Sequence, residues 1–421
     1  MNTYYRPQLI QLFHEAIHAV KGEVCVAHWL RQNPIKGPVH LLAIGKAADS
    51  MVRGALQVLP QQIEDALVIT KVGHCGDFAP RIHCVEASHP LPDQTSLAAG
   101  RQLLHFIQAI PPHSQTLVLI SGGASALVEV LPEDISLGEW QRATQWLLSH
   151  DYSIVQINAV RKRLSCIKAG RLAHYFADRR AICLLISDVP GNDPAVIGSG
   201  LLVPDKTNVS DLGATDWMST LPAHIIDLLN RAPASPASND SCFRSIRVEI
   251  VATLQDAKKA VHSAAQKLGL DSFFHEEFIA GDAAQAGRRL ARRLLQGPPG
   301  LHIWGGETTV TLPERPGRGG RSQTLALAAA QELADIPKVL LLAAGTDGTD
   351  GPGDVAGAIV DGGTQARGLR NLGAQKQPLP WYLEHADAGT FLQASGDLIR
   401  TGPTGTNVMD VVLGLKWDAT D

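Results

Sequence analysis

An α/β fold follows from this 421-residue sequence through three observations. Short apolar runs alternate with helix-length stretches rich in Ala, Leu or Gln. Gly and Pro punctuate the joins between them. Composition, with 45% hydrophobic and 19% charged residues, is that of an ordinary globular protein, and the length suits roughly two to three domains.

The apolar runs read as strands at 39–44, 66–70, 116–120, 181–186, 248–252, 301–304 and 339–344. They do not alternate with polar residues, which predicts a largely parallel sheet buried on both faces. Between them, 46–59, 96–109 and 322–334 read as helices with few breakers, and 307–312 reads as a hairpin. The run Arg231-Ala-Pro-Ala-Ser-Pro-Ala-Ser-Asn-Asp-Ser241 has no apolar period and marks a boundary, giving domains at 1–237 and 242–421. Gln296-Gly-Pro-Pro-Gly300 reads as a loop before a strand.

Charge and cysteine usage narrow the function. Formal net charge is -4 and no Lys/Arg block is long enough to track a polyanion, so nucleic acid and anionic membrane are poor partners, while small anions can still be bound locally. The six cysteines, Cys25, Cys75, Cys84, Cys166, Cys183 and Cys242, show no metal-ligand spacing and read as free thiols of a reducing compartment. Met1-Asn-Thr-Tyr-Tyr-Arg6 lacks an apolar signal core and no run approaches the length of a spanning helix. The cytoplasm is the expected location.

Chemistry is expected at the carboxyl ends of the strands, where open sheets bind ligands. Five runs end in Gly-rich or polar clusters: Gly45-Lys46, Ser121-Gly-Gly-Ala-Ser125, Ser187-Asp-Val-Pro-Gly191, Gly305-Gly-Glu307 and Gly345-Thr-Asp-Gly-Thr-Asp-Gly351. Their recurrence suggests a shared crevice. Backbone N–H groups of Gly122 and Gly123 suit either an anion nest or a tight strand-to-helix turn. Lys46 is a phosphate contact or a solvated first-turn lysine. Arg318 and Arg321, on Gly317-Arg-Gly-Gly-Arg-Ser322, are a phosphate clamp or belong to a flexible surface loop. Asp347, Asp350 and Asp354 crowd one Gly/Thr loop, favouring Mg2+ shared with nucleotide phosphates over a structural Ca2+ loop or turn chemistry. Asp188 is a base, a metal ligand or a helix cap.

Two fingerprints are absent. G-x-x-x-x-G-K-[ST] does not occur, since position 40 is His and Ala47 follows Lys46. A dinucleotide match forced onto Gly351, Gly353 and Ala356 sits behind an acidic loop that repels pyrophosphate.

Taken together, the ordered motifs resemble the glycerate 2-kinase family, whose C-terminal part is known as the MOFRL domain. The resemblance spans most of the chain. It rests on Gly45-Lys46-Ala47-Ala48, His89-Pro90-Leu91-Pro92-Asp93, Ser121-Gly-Gly-Ala-Ser-Ala-Leu127, Ile157-Asn-Ala-Val-Arg-Lys-Arg-Leu-Ser165 and Ile167-Lys-Ala-Gly-Arg-Leu-Ala173. Downstream it continues through Ser187-Asp-Val-Pro-Gly191, Gly305-Gly-Glu-Thr-Thr-Val310, Gly319-Gly-Arg321, Gly345-Thr-Asp-Gly348 and Gly402-Pro-Thr-Gly-Thr-Asn407. It implies a Rossmann-like N-terminal domain with a mostly parallel sheet, a smaller α/β C-terminal domain and an active site in the cleft between them. The implied reaction is ATP- and Mg2+-dependent phosphorylation of D-glycerate to 2-phosphoglycerate. By motif, Lys46, Arg321 and Asp188 are the implied catalytic residues and Asp347 the metal ligand. Substrate and phosphate contacts fall on Ser121, Gly122, Gly123, Ser125, Arg161, Gly319, Gly320 and Asn407. Partners are then ATP and a small hydroxy acid; the oligomeric state is left open by the sequence, with a homodimer as one option.

Departures from the family pattern fall at Ser322 and Thr324, at Leu201 and Leu202, and at Asn192, which opens the identity of the hydroxy acid. Two other readings stand beside the kinase: an NAD(P)H-dependent hydroxypyruvate reductase, and a non-catalytic ligand-binding relative.

Overall fold

The computed structural model describes residues 2–112, 114–150, 152–176, 179–205 and 217–418, and the chain divides into two compact units. One is Gly22–Val251; the other joins Met1–Lys21 to Ala252–Asp421.

In the unit Gly22–Val251 the apolar runs form β1 (Val39–Ile44), β2 (Ile63–Lys71), β3 (Ile82–Ala87), β4 (Gln115–Ile120), β5 (Arg180–Ile186) and β6 (Ile246–Ala252). Their order is β3-β2-β1-β4-β5-β6, the doubly wound arrangement, and the pairs linking β3, β2, β1, β4 and β5 are parallel. All six residues of β1 are buried, as expected when both faces of a parallel sheet are covered by helices. Helices of this unit, on the sheet and in a separate cluster beside it, start where local chemistry satisfies their first N–H groups. Asp93 and Ser96 box the start of Gln94–Ala109, Ser136 and Glu139 that of Leu137–Leu148, and Ser153 and Gln156 that of Ile154–Arg163.

The Pro-rich run is a connection inside this unit, not the boundary expected between 237 and 242. Arg171 donates to Pro233 O and Ser235 Oγ, each at 2.9 Å, and Arg163 donates to Pro233 O at 2.9 Å. β6 then joins the sheet beside β5, so the division falls after Val251.

The other unit has a mixed sheet of β7 (Ser272–Ile279), β8 (Gly300–Gly306), β9 (Val339–Gly345), β10 (Gly357–Asp361), β11 (Leu398–Ile399) and β12 (Asp410–Lys416), ordered β11-β10-β9-β12-β8-β7. Only β7 and β8 pair in parallel; the pairs joining β8, β12, β9, β10 and β11 are antiparallel. β12 lies between β8 and β9 and runs against both, so its first residue meets their last ones. The N-terminal segment belongs here because the helix Asn2–Val20 buries Leu9, Leu12, Phe13, Ala16 and Val20 along one face. Arg6 pairs with Asp397 at 2.8 Å, and Thr406 Oγ1 donates to Val20 O at 2.6 Å. No hairpin forms at 307–312; Thr309 makes an isolated parallel bridge to Asp282.

One cysteine expectation is also corrected. Cys75 and Cys84 form a disulfide, with Cα atoms 6.1 Å apart. The loop leaving β2 folds along β3, where Glu86 Oε1 accepts from Gly73 N at 2.8 Å and from Cys75 N at 3.3 Å. Cys25, Cys183 and Cys242 are buried free thiols and Cys166 is a partly buried one. Among the described residues no helix is long and apolar enough to cross a membrane.

Candidate active site

In the doubly wound sheet the strand order reverses between β1 and β4, and loops leaving two such neighbours diverge to open a crevice. Ile44 faces Ile120 in the register, which brings Gly45 beside Ser121. Lys46 N donates to Gly122 O at 2.9 Å and Ala47 N to Ser121 Oγ at 3.1 Å, tying the two loops together. Gly45 has φ +134°, and a Cβ there would lie 2.6 Å from Ser121 O, so only glycine fits. Gly123 has φ +88°, and a Cβ there would lie 3.1 Å from Lys46 Cγ and 3.2 Å from His89 Cδ2. Lys46 and His89 therefore flank its bare face. The tight-turn requirement at Gly123 is met, while the helix it starts, Ala124–Leu127, is a single turn.

Ser125 Oγ shares a 2.7 Å hydrogen bond with Ser199 Oγ. Ser199, with φ +63°, lies between Gly198 and Gly200, both also at positive φ. The backbone beneath is fixed by Ala169 N and Gly170 N, which donate to Ser199 O and Gly200 O at 3.0 and 2.7 Å. The Leu201 and Leu202 departures point into the main core of this unit, so they alter packing rather than a polar contact.

Asp188 lies two residues beyond β5, partly buried, at the same edge as Lys46 and Ser121. It does not cap the next turn, Pro190–Asn192, whose N-cap is Val189. Asn192 adopts φ +54°, a conformation that asparagine and aspartate both tolerate, so the backbone permits that departure without requiring it. Arg161 stacks over Trp140 with 5.4 Å to the ring centroid; burial lowers its pKa, and Glu129 opposes the shift.

In the other unit the edge formed by the ends of β8 and β9 and the start of β12 gathers carboxylates around Arg321. Its Nε and Nη2 donate to Asp410 at 2.6 and 3.0 Å, and Nη1 pairs with Glu307 Oε1 at 2.6 Å. Burial works against the guanidinium charge, but Asp410, Glu307 and Asp350 together raise its pKa. Two acids approach the bare face of Gly345: a Cβ there would lie 3.3 Å from Asp347 Oδ1 and 3.4 Å from Asp410 Oδ1. Burial raises the Asp410 pKa, Arg321 opposes this, and Asp347 adds to the rise.

The three aspartates of the acidic loop separate by role. Asp350 is a buried cap, accepting from Ser322 N at 2.9 Å, Gln323 N at 2.7 Å and Gln323 Nε2 at 3.0 Å. Burial and then Asp410 push its pKa up to about 6. Asp354 is an exposed partner of Arg400 at 3.3 Å. Asp347 accepts from Thr349 N and Oγ1 at 3.0 and 3.1 Å and faces the Asp410 side.

Gly319 and Gly320 are demanded by close approach. A Cβ on Gly319, at φ +142°, would lie 2.9 Å from Gly389 N, and one on Gly320 would lie 2.5 Å from Asp350 O. Arg318 is exposed, with its backbone N–H donating to Asp387 Oδ1 at 2.8 Å. Asn407 accepts from Met409 N at 3.3 Å. Thr324 Oγ1 donates to Gly320 O at 2.8 Å, while the buried Ser322 side chain faces the Asp410 carboxylate and helps to offset the rise in its pKa. Asp410 and Glu307 escaped the sequence reading as Arg321 partners. The available signal for Asp410 was a lone acid opening the apolar run Asp410-Val-Val-Leu-Gly-Leu415.

Comparison with known proteins agrees with this layout. Residues 8–229 match a family described as Domain of unknown function (DUF4147), and residues 300–410 match the MOFRL family. The D-glycerate 2-kinase of Thermotoga maritima is 35% identical over 96% of this chain and 97% of its own length. An Agrobacterium vitis protein that carries a hydroxypyruvate reductase name is 32% identical over 96% of this chain and 93% of its own length. A crystal structure of glycerate kinase from Thermotoga maritima superposes with a TM-score of 0.84 at 33% identity, covering 99% of this chain and 100% of that one.

Proposed function

The chain belongs to the glycerate kinase family, and we propose that it transfers the γ-phosphoryl group of ATP to the 2-hydroxyl of D-glycerate. In that step a bond forms between the hydroxyl oxygen and the γ-phosphorus, the bond to the ADP oxygen breaks, and the hydroxyl proton leaves to a base. Positioning and charge neutralisation supply most of the rate in such transfers. Lys46 and Arg321 neutralise the transferring phosphoryl. Asp188 orients the attacking hydroxyl and accepts its proton. The bare face of Gly122-Gly123, beside Lys46, receives the substrate carboxylate, and Ser125 supplies a hydroxyl to it. Gly319, Gly320 and Asn407 border the Arg321 side.

Mg2+ fits the acidic edge. Asp347 and Asp410 bring carboxylate oxygens to the same bare face of Gly345, and Mg2+ is usually held by one or two carboxylates together with substrate phosphates. When bound there it supplies charge neutralisation to the phosphate oxygens. Asp347→Asn is expected to raise the Mg2+ concentration required for half-maximal activity several-fold. An unchanged Mg2+ dependence would make Asp347 a turn residue.

The observation that carries the kinase reading over the reductase is the loop after β1. A dinucleotide site needs a Gly-x-Gly turn there to admit pyrophosphate. Here the loop reads Gly45-Lys46-Ala47, with Ser121 packed against Gly45. Incubation with ATP, Mg2+ and D-glycerate, followed by phosphorus NMR, should yield 2-phosphoglycerate, and L-glycerate and tartronate then define the acceptor range. Loss of NADH absorbance with hydroxypyruvate, without ATP turnover, would favour the reductase.

A further inference from the structure

At the edge of the doubly wound sheet where β5 and β6 begin, opposite the Lys46 and Asp188 edge, His174, Asp240 and Cys242 bring one potential ligand atom each within 4.8 Å of one another. They arrive from two segments. The short helix Leu172–Phe176 buries Leu172, Ala173 and Phe176, leaving His174 on its exposed side. Asp240 caps the turn Ser241–Phe243, where its Oδ1 accepts from Cys242 N at 2.9 Å. That bond fixes the carboxylate and turns Oδ2 toward His174 Nε2, 3.9 Å away and beyond hydrogen-bond reach. Cys242 is anchored in the core, and Phe243 packs on Gly170, where a Cβ would lie 2.8 Å from the ring. Both segments are thereby held in place.

From this convergence we infer that His174, Asp240 and Cys242 form a binding site for Zn2+ or a similar borderline divalent ion, separate from the phosphoryl-transfer machinery. Imidazole, carboxylate and thiolate are the ligand types Zn2+ takes, and three protein ligands with one solvent position is a recurrent zinc arrangement. Tetrahedral zinc places such atoms roughly 3.4–3.6 Å apart, given metal–ligand bonds of about 2.0–2.3 Å. Closing from the observed separations takes about 1 Å, within reach of the exposed His174 side chain. On binding, the Cys242 S–H bond gives way to a sulfur–metal bond and the proton leaves to solvent. The ion then cross-links the helix before β5 to the turn before β6.

Co2+ reports on this directly, because thiolate coordination produces a charge-transfer band. Titration of the full-length, chelator-treated protein with Co2+ should develop that band at one equivalent, and Zn2+ should abolish it. Cys242→Ser should remove the band. His174→Gln, at an exposed position where folding is not at stake, should weaken Co2+ binding on the order of tenfold or more and leave glycerate phosphorylation unchanged. Two results overturn the assignment: no band in the wild type at millimolar Co2+, or an equal band and affinity in both variants.

Discussion

Arg321→Lys is expected to lower kcat by about three orders of magnitude while the KM for ATP changes little, since a transition-state arginine contributes on the order of 10³ or more in phosphoryl-transfer enzymes. Lysine keeps the charge but loses the planar fork. The native guanidinium uses Nε and Nη2 on Asp410 and Nη1 on Glu307, three of its five N–H groups, so two remain for phosphoryl oxygens. A single ammonium cannot hold both carboxylates and still present a donor pair. Asp410→Asn probes the same device from its other side. It removes the charge that orients Arg321, and kcat should fall by about tenfold, less than on loss of the arginine itself. Circular dichroism establishes that both variants are folded. Unchanged kcat in Arg321→Lys removes the residue from the catalytic set, and a raised KM at constant kcat makes it a uniform binding group.

Much of the first sheet is legible in the sequence because strands covered on both faces read as unbroken apolar runs, as in Val39–Ile44. That same property hides strand direction in the second sheet. The run in β9 is buried at all seven positions and pairs antiparallel on both sides, yet looks no different from a parallel strand. The expectation of one series of parallel loops therefore gave way to a separate edge in each unit. Long-range packing was equally silent: nothing local in residues 2–20 says that their apolar face belongs with residues beyond 251. Within the acidic loop, Asp347, Asp350 and Asp354 share one local signature. Only the backbone N–H groups of Ser322 and Gln323, about 28 residues away in sequence, distinguish the cap from the others. The departures divide along similar lines. Leu201 is explained by the core and Ser322 sits against Asp410, whereas nothing in the structure explains Asn192 in place of the family's aspartate.

The largest loss of stability is expected from Glu129→Ala. Glu129 and Lys168 are fully enclosed, with side chains 0% exposed and Nζ 2.5 Å from Oε2, and the other carboxylate oxygen accepts from Ser165 Oγ at 2.5 Å. Burial lowers the Lys168 pKa, and the Glu129 charge opposes that shift. Deleting the carboxylate strands an ammonium away from water, and breaking a buried pair in this way costs about 3–5 kcal/mol. The effect should reach the candidate active site. Ala169 and Gly170, next in the chain, hold the Ser199-Gly200 backbone, and Ser199 in turn meets Ser125. Glu129→Ala is therefore expected to lose activity as well as stability. The double variant Glu129→Leu/Lys168→Met replaces the pair by apolar side chains of similar volume and should recover most of the stability, because no charge is left uncompensated. Hydrogen exchange of β4 and β5 amides in urea reads this unit apart from the other, which matters in a two-unit chain. If the single variant leaves their protection unchanged, the pair contributes nothing to holding the turn. If the double variant is as unstable as the single one, packing rather than the stranded charge is the cause.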